Sequence, residues 1–213
     1  MATTVIMVRH GFSMANEQNR FAGHWDIPLT ALGKEQAACA ASWFSVHPAD
    51  AVYASDLMRA YETALPIAAV LGLAVQKEPG LREIRAGEWE TLLFDELPLR
   101  YPKEFKLWTE DLGRSGCPGG ETVAEVYERV WSAVSRLAAR HDGETICLAS
   151  HATPIRAICA RALGYPAEEM AKVPWVSNAS ISIFEYENGV IRPISLDQTD
   201  HLGALRTKLP NNV

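Results

Sequence analysis

The chain has 213 residues, of which 48% are hydrophobic and 22% charged, values typical of a globular protein that can bury a large core. Its formal net charge of −6 argues against a general nucleic-acid-binding protein, which would present a basic face. The longest apolar stretch, residues 64–75, is interrupted by Pro66 and Gly72 and is too short to span a bilayer. We therefore expect neither nucleic acid nor a membrane as a partner.

The start of the chain has no basic segment followed by a long apolar core, so we expect a soluble, cytoplasmic protein. The four cysteines show neither C-x-x-C pairing nor metal-ligand spacing; they are Cys39, Cys117, Cys147 and Cys159. Cys39 and Cys159 fall in helical patterns and Cys147 in an apolar strand. Buried free thiols in a reducing compartment are therefore expected.

The apolar run at residues 5–8 is typical of a strand that is covered on both faces. It ends abruptly in Arg9, His10 and Gly11. Parallel sheets carry their sites at the carboxyl ends of the strands, where Arg9 and His10 would lie. Gly11 permits either a positive φ or the close approach of a ligand to the backbone.

The next elements alternate between helix and strand. We predict a helix over 32–46, a strand over 51–54, a helix containing Arg59, a strand over 73–76 and a loop over 81–90. Ser55 and Asp56 are placed to cap the second helix. Pro66 predicts a kink or break near 62–66, because an interior proline removes a backbone hydrogen bond.

Residues 92–120 have a looser pattern, in which Pro98, Pro102 and Pro118 punctuate short helical pieces. The aromatic residues of this segment are Phe94, Tyr101, Phe105 and Trp108. We interpret about 91–120 as an insertion that folds over the site as a lid. The alternative is a peripheral helical hairpin.

The clearest helix begins at Glu121-Thr122 and should continue to about Arg140, since valines recur at three- and four-residue steps. Residues 145–150 predict a strand that ends at His151, and Pro154 suits the first turn of the following helix. Residues 180–186 and 190–195 flank Asn188-Gly189, which indicates a β-hairpin. We expect the chain to fray through 210–212.

These elements predict a three-layer α/β/α sandwich with a mostly parallel central sheet and an antiparallel hairpin at or near one edge. No repeat or long linker divides the chain, so we expect one domain over residues 1–213. The oligomeric state is left open, a dimer included.

Several blocks of the chain together resemble the histidine phosphatase superfamily, which includes the phosphoglycerate mutases. They are RHGFSMAN at 9–16, NRFAG at 19–23, DIPLTALG at 26–33, SDLMRAYETA at 55–64, LREIRAGEWE at 81–90, PGGET at 118–122 and SHATPIR at 150–156. The blocks come in the family's order, between residue 5 and about residue 160. The resemblance implies a phosphoglycerate mutase-like fold.

Hydrolysis of a phosphate monoester without a metal needs a nucleophile, fixed positive charge around the phosphoryl oxygens and an acid for the leaving group. The resemblance implies that His10 is the nucleophile and forms a phosphohistidine, with its other nitrogen donating to a backbone carbonyl. It implies that Arg9 and Arg59 clamp the phosphate. His151 completes the pocket and, if protonated, would help to neutralise the transition state.

Glu83 is the candidate general acid, on the loop that matches the family's acid-bearing loop. Its position between Arg82 and Arg85 also suits a surface ion-pair cluster. The expected substrate-binding residues are Asn16, Gly23 and Ala152, with Asn16 as an amide donor to the phosphate.

The sequence departs from the family pattern at three places. Phe12 replaces an acidic residue that often follows the glycine, Thr91 stands where glycine is common, and Ala152-Thr153 replaces the usual Gly-Gly. Alanine tolerates a positive φ poorly, so the turn beside His151 is expected to differ. None of these changes removes a charged group.

We interpret the protein as a metal-independent phosphomonoester hydrolase, without a cofactor, whose partner is a small-molecule phosphomonoester. A cofactor-dependent phosphoglycerate mutase is the first alternative, and a non-catalytic phosphate-ligand-binding protein on the same fold is the second. A metallohydrolase is disfavoured because His24, His47, His141 and His201 lack paired ligand spacing.

Overall fold

The computed structural model describes residues 1–208 and contains one six-stranded sheet. Its strands are β1 (Thr3–Arg9), β2 (Ala51–Ala54), β3 (Val75–Lys77), β4 (Thr145–Ser150), β5 (Ile181–Glu187) and β6 (Val190–Gln198). The strand order is β3-β2-β4-β1-β5-β6. Strands β1 to β4 are parallel, and the β5–β6 hairpin joins β1 antiparallel and forms one edge. The predicted sheet is confirmed, with its hairpin at the edge.

The α-helices are α1 (Met14–Glu17), α2 (Ala31–Phe44), α3 (Met58–Leu71), α4 (Leu97–Arg100), α5 (Pro102–Glu110), α6 (Val123–Arg140) and α7 (Ala152–Ala162). Short 3₁₀ helices occupy Pro79–Leu81, Gly87–Trp89, Phe94–Glu96, Leu112–Arg114, Ala167–Lys172 and Asp200–Leu205. No helix within residues 1–208 is long and apolar enough to cross a membrane.

The sheet divides the buried core into two clusters, because successive side chains of a strand point to opposite faces. On one face Met7 and Leu148 pack with the valines of α6. On the other face Ile6 and Val8 join residues of α2 and α3. Helices therefore cover both faces, and the predicted three-layer α/β/α sandwich is confirmed.

Strands β1 and β4 are neighbours in the middle of the sheet, with Arg9 paired to Ser150. The residues that follow these strands, His10 and His151, consequently lie at the same edge of the sheet. This register brings together two histidines that are far apart in the sequence. The thiols also agree with expectation: all four cysteines are free, and Cys39 alone is only partly buried.

Helix α3 corrects two expectations, the break near Pro66 and the cap at Ser55 or Asp56, whereas a kink at the proline stays a prediction. It continues without a break through Pro66, and its N-cap is Leu57, with no side-chain cap, rather than Ser55 or Asp56. The helix buries Ala64 and Ile67 against the second core cluster, and this burial offsets the cost of an interior proline, about 3 kcal/mol.

Other boundaries shift by one to three residues, and the largest shift is the end of β6, at Gln198 rather than at residue 195. Strand β3 begins at Val75 rather than at residue 73, and α2 ends at Phe44 rather than at residue 46. Helix α6 follows the prediction closely, because Thr122 and Glu125 form a capping box at its start. The expected fraying at 210–212 falls outside the described residues.

Candidate active site

A cleft opens where β1 and β4 end, and it encloses about 600 Å³ including the solvent at its mouth. This volume suits a small-molecule ligand. Six of the eight residues expected at the site line it: Arg9, His10, Asn16, Gly23, Glu83 and Ala152. Arg59 and His151 are buried behind its surface, 1% and 0% exposed; the charge of Arg59 acts on His10, and the His151 ring lies against it.

His10 is held as a neutral imidazole by its hydrogen bond and its surroundings. Its Nδ1 lies 2.7 Å from the backbone oxygen of Gly11. A carbonyl can only accept, so Nδ1 carries the proton and Nε2 presents a lone pair. Burial, together with the charges of Arg59 and Arg9, holds the pKa of His10 well below its ordinary value of 6.5. The imidazole is therefore neutral over the physiological range of pH.

Two buried guanidinium groups supply the positive charge. Burial lowers the pKa of Arg9 and of Arg59 to about 10, so both stay charged at neutral pH. Arg9 donates to the backbone oxygen of Val176, and Arg59 donates to those of Trp25 and Gly23. The Nε atoms of both arginines are buried and have no hydrogen-bond partner among residues 1–208. Such unpaired donors attract an anion.

His151 lies beside His10, with 5.2 Å between the ring centroids. Its Nε2 is 2.8 Å from Ser55 Oγ, and its Nδ1 is buried with no partner in the part of the chain that the structure describes. Burial and the charge of Arg59 keep the pKa of His151 well below its ordinary value of 6.5. The ring is thus neutral in the free protein, and the conditional protonation considered above requires the charge of a bound anion.

Glu83 faces the cleft rather than a surface ion-pair cluster, so that alternative is wrong. Its Oε1 accepts hydrogen bonds from the backbone amides of Ile84 at 2.9 Å and of Thr153 at 3.3 Å. Arg82 instead pairs with Asp56, with 2.6 Å from Nε to Oδ1. Arg85 donates to backbone carbonyls beyond the cleft.

The backbone conformation tests the expectations for Gly11 and for the positions where other residues replace the family's glycines. A Cβ on Gly11 would lie 2.4 Å from the carbonyl oxygen of Gly33, so this glycine permits close approach of the chain itself. Ala152 and Thr153 are the first residues of α7 and have no positive φ, so the alanine is not strained here, and a difference from the family's turn stays a prediction. Thr91, by contrast, has a φ of 70°, which explains why glycine suits that position.

Aromatic side chains form the outer wall of the cleft, and they are Phe21, Phe94, Trp108 and Trp175. Trp108 and Trp175 stack with 6.2 Å between ring centroids, and the Arg156 guanidinium lies 4.3 Å from the Trp175 ring. Phe94 and Trp108 belong to the 91–120 segment, which therefore contributes to the cleft. No group of His, Cys, Asp and Glu that could hold a metal is found within residues 1–208.

Sequence reasoning missed several residues of the site, and three of them make specific contacts or line the cleft. Ser55 contacts His151, Asn178 contacts His10 and Asn16, and Trp175 lines the cleft. Ser55 lies within a block that matches the family, so its position was a usable signal. Asn178 and Trp175 follow no motif and reach the site only through the tertiary fold.

The model of the histidine phosphatase superfamily (branch 1) matches residues 5–198. The chain belongs to the histidine phosphatase superfamily. This histidine phosphatase is 35% identical over 199 residues to phosphoserine phosphatase 1 of Hydrogenobacter thermophilus. The aligned region covers 93% of this chain and 94% of that protein. The chain is therefore an enzyme, and its relatives include phosphatases and phosphoglycerate mutase-like proteins.

Solved structures of other histidine phosphatases have the same fold. A mycobacterial glucosyl-3-phosphoglycerate phosphatase in complex with VO3 superimposes with a TM-score of 0.85 at 27% identity, covering 92% of this chain and 99% of that chain. A histidine-to-alanine mutant of the phosphoserine phosphatase from Entamoeba histolytica, solved with phosphoserine, gives 0.81 at 28% identity, covering 93% and 97%.

Proposed function

We propose that this enzyme hydrolyses phosphomonoesters of small metabolites through a phosphohistidine at His10, without a metal. The observation that carries the proposal is a neutral imidazole in a cleft whose fixed charge comes from two buried arginines. Nucleophile and charge are thus both in place before the substrate binds.

The reaction has two steps. His10 Nε2 attacks phosphorus and the bond to the leaving oxygen breaks, while Glu83 in its acid form gives its proton to that oxygen. Water then attacks the phosphohistidine and gives a proton back to Glu83, which releases inorganic phosphate and neutral His10. Arg9, Arg59 and His151 stabilise the phosphoryl oxygens in both steps.

The complexes of related proteins support this proposal. VO3 is an oxyanion with the charge character of phosphate, and phosphoserine is a phosphomonoester. The organic part of the substrate would contact the aromatic wall, and Asn16, Gly23 and Ala152 would line its path. The 91–120 segment acts as the lid in this proposal, because Phe94 and Trp108 close one side of the cleft.

The test is the covalent intermediate. The enzyme is mixed with ³²P-labelled phenyl phosphate, quenched in denaturant and assayed for acid-labile, base-stable label. We expect label on His10, none in His10→Ala, and unchanged label in His47→Ala, which removes an exposed histidine far from the cleft. Label that persists in His10→Ala contradicts the assignment.

Two further measurements separate the alternatives. Turnover should survive a chelator, because the proposed mechanism uses no metal. A complete loss of turnover that added metal restores would instead support a metallohydrolase. Release of the label to water rather than to 3-phosphoglycerate would distinguish the hydrolase from the mutase.

A further inference from the structure

We propose that Asn178 is a positioning residue that orients both the backbone of His10 and the side chain of Asn16; this inference rests on the proposed function. Asn178 is 3% exposed. Its Nδ2 lies 3.2 Å from the backbone oxygen of His10 and 3.2 Å from Asn16 Oδ1. One side-chain amide thus connects the nucleophile to a second residue of the cleft.

The turn that carries Asn178 also holds the end of β1. The Arg9 amide donates to the Ser180 oxygen at 3.1 Å, and the Ala179 amide donates to the His10 oxygen at 3.2 Å. Ala179 has a φ of 53°, in the left-handed region that favours glycine. A non-glycine residue keeps this conformation only where its surroundings fix it, and such positions cluster at functional sites. The 177–180 turn therefore fixes the dipeptide that carries the nucleophile.

Asn178, together with Ser13, determines which end of the Asn16 amide faces the cleft. Asn16 Oδ1 accepts from Ser13 N at 3.0 Å, from Ser13 Oγ at 2.9 Å and from Asn178 Nδ2 at 3.2 Å. The Ser13 backbone amide can only donate, which identifies the bonded atom of Asn16 as oxygen. With the oxygen held by three donors, the NH₂ group is the end left for the cleft that Asn16 lines.

This orientation matters because phosphoryl oxygens attract donors and repel acceptors. Both protons of the Asn178 amide are engaged, one with the His10 oxygen and one with Asn16 Oδ1. Aspartate has the same shape but, when ionised, only accepts hydrogen bonds. It would therefore face two oxygens without a proton to share, and both contacts would be lost.

The test is a double-mutant cycle on the affinity for inorganic phosphate, measured by titration calorimetry. We expect Asn178→Ala and Asn16→Ala each to weaken binding about 10-fold, the loss of one charge-assisted hydrogen bond. In the double variant the loss should fall well short of about 100-fold, because the part of the Asn178 effect that passes through Asn16 is already lost in Asn16→Ala, whereas the part that passes through His10 remains. Independent losses that multiply to about 100-fold would overturn the inference.

A second variant, Asn178→Asp, distinguishes the loss of the amide donors from a simple loss of folding. Asn178→Asp should bind phosphate more weakly than wild type at pH 8. It should recover part of the difference at pH 5, measured relative to wild type at the same pH, because a protonated carboxyl regains one donor. Asn178→Ala should show no such recovery, and an unchanged ratio for Asn178→Asp would also overturn the inference. Melting temperatures are recorded for every variant.

The control is Asn188→Asp, at an exposed asparagine with a φ of 52° in the β5–β6 hairpin, and we expect no change in affinity. The assay also distinguishes a failure of this inference from a failure of the proposed function. Wild-type enzyme that neither binds phosphate nor cleaves any monoester overturns the proposed function, and the role of Asn178 with it. Active wild type with unaffected Asn178 variants overturns the role of Asn178 alone.

Discussion

Ser55 Oγ lies 2.8 Å from His151 Nε2, and neither side chain has any exposed surface. The Leu57 amide already donates to this hydroxyl at 3.3 Å. The arrangement favours donation of the hydroxyl proton to Nε2, which leaves the ring proton on the unpartnered Nδ1. His151 would then offer an N–H group to the phosphoryl oxygens.

Ser55→Ala should therefore lower kcat/KM by about 10-fold, the effect of one hydrogen bond that orients the ring. Ser195→Ala is the matched control, since Ser195 Oγ is also buried but has no partner to lose. The measurement is kcat/KM for both variants on phenyl phosphate across pH 5 to 9. Equal values for the two variants would remove Ser55 from the site.

The buried histidines predict how stability depends on pH. Burial holds the pKa values of His10 and His151 well below 6.5 in the folded chain, whereas both titrate near 6.5 when unfolded. Below pH 6.5 the unfolded chain binds more protons, so the free energy of unfolding falls as pH falls, by up to about 1.4 kcal/mol per unit for each histidine. Urea unfolding between pH 5 and 8 measures this slope. It should be shallower in His10→Asn, and an identical slope would contradict the prediction.

Glu83→Gln keeps the size of the side chain but removes the transferable proton. Proton donation matters most for poor leaving groups, so we expect a loss of about 10²-fold or more on an alkyl phosphate and a much smaller loss on p-nitrophenyl phosphate. Arg59→Gln should weaken both substrates alike, because it acts on the phosphoryl group that they share. The comparison requires conditions in which phosphorylation of His10 limits the rate. Equal losses for Glu83→Gln would assign the proton to another group.

The wall of the cleft predicts a preference among leaving groups. Among the lining residues that the structure describes, Arg9 is the only permanent cation, and the outer wall is aromatic. A leaving group that carries a carboxylate gains no further lining cation there, whereas a flat neutral group can pack against the aromatic wall to which Trp175 belongs. We expect phenyl phosphate to have a higher kcat/KM than 3-phosphoglycerate.

Trp175→Ala should raise KM for phenyl phosphate about 10-fold and change KM for glycerol 1-phosphate much less. Trp131→Ala is the control, since Trp131 packs against Arg161 and Tyr186 away from the cleft. The same rise in KM for both substrates would show that Trp175 supports the fold rather than the leaving group.

The strained backbone at Thr91 predicts a stabilising substitution. The left-handed conformation costs an ordinary residue about 1 to 2 kcal/mol, and glycine avoids most of this cost. Thr91 is exposed, and its amide is held by the Phe21 oxygen at 2.9 Å, so the backbone should not move. Thr91→Gly should raise the free energy of unfolding by about 1 kcal/mol. Thr109→Gly, within helix α5, should lower it. Chemical denaturation decides between these signs.

The sequence was sufficient to predict the elements whose residues carry their own signals. Strand β1 and the 145–150 strand are continuous apolar runs, and α6 has both a valine periodicity and a capping box, so their positions were correct. Pro66 misled because its local cost is visible in the sequence, whereas the burial of Ala64 and Ile67 that offsets it is a property of the packed fold.

The same distinction applies to the site. His10 and His151 were recognisable because each directly follows an apolar strand within a matched block. Asn178 belongs to no such pattern. It lies 168 residues after His10 in the sequence, and only the hydrogen bond from its side chain to the His10 oxygen places it at the site. The interpretation of Glu83 as part of a surface ion-pair cluster was wrong for a related reason. Its charged neighbours in the sequence, Arg82 and Arg85, bind Asp56 and the Gly119 carbonyl in the folded chain.

The place of β1 in the sheet also constrains how the chain matures on the ribosome. Both neighbours of β1, the strands β4 and β5, follow it by more than a hundred residues. Strand β1, which precedes His10, is thus synthesised before the other strands of the sheet, and it stays an unpaired apolar segment until residues 145–150 have emerged. Long-range pairing of this kind slows folding, and until it occurs the unpaired apolar strand is exposed to aggregation. We therefore expect nascent chains that end before β4 to be inactive and to need protection from aggregation.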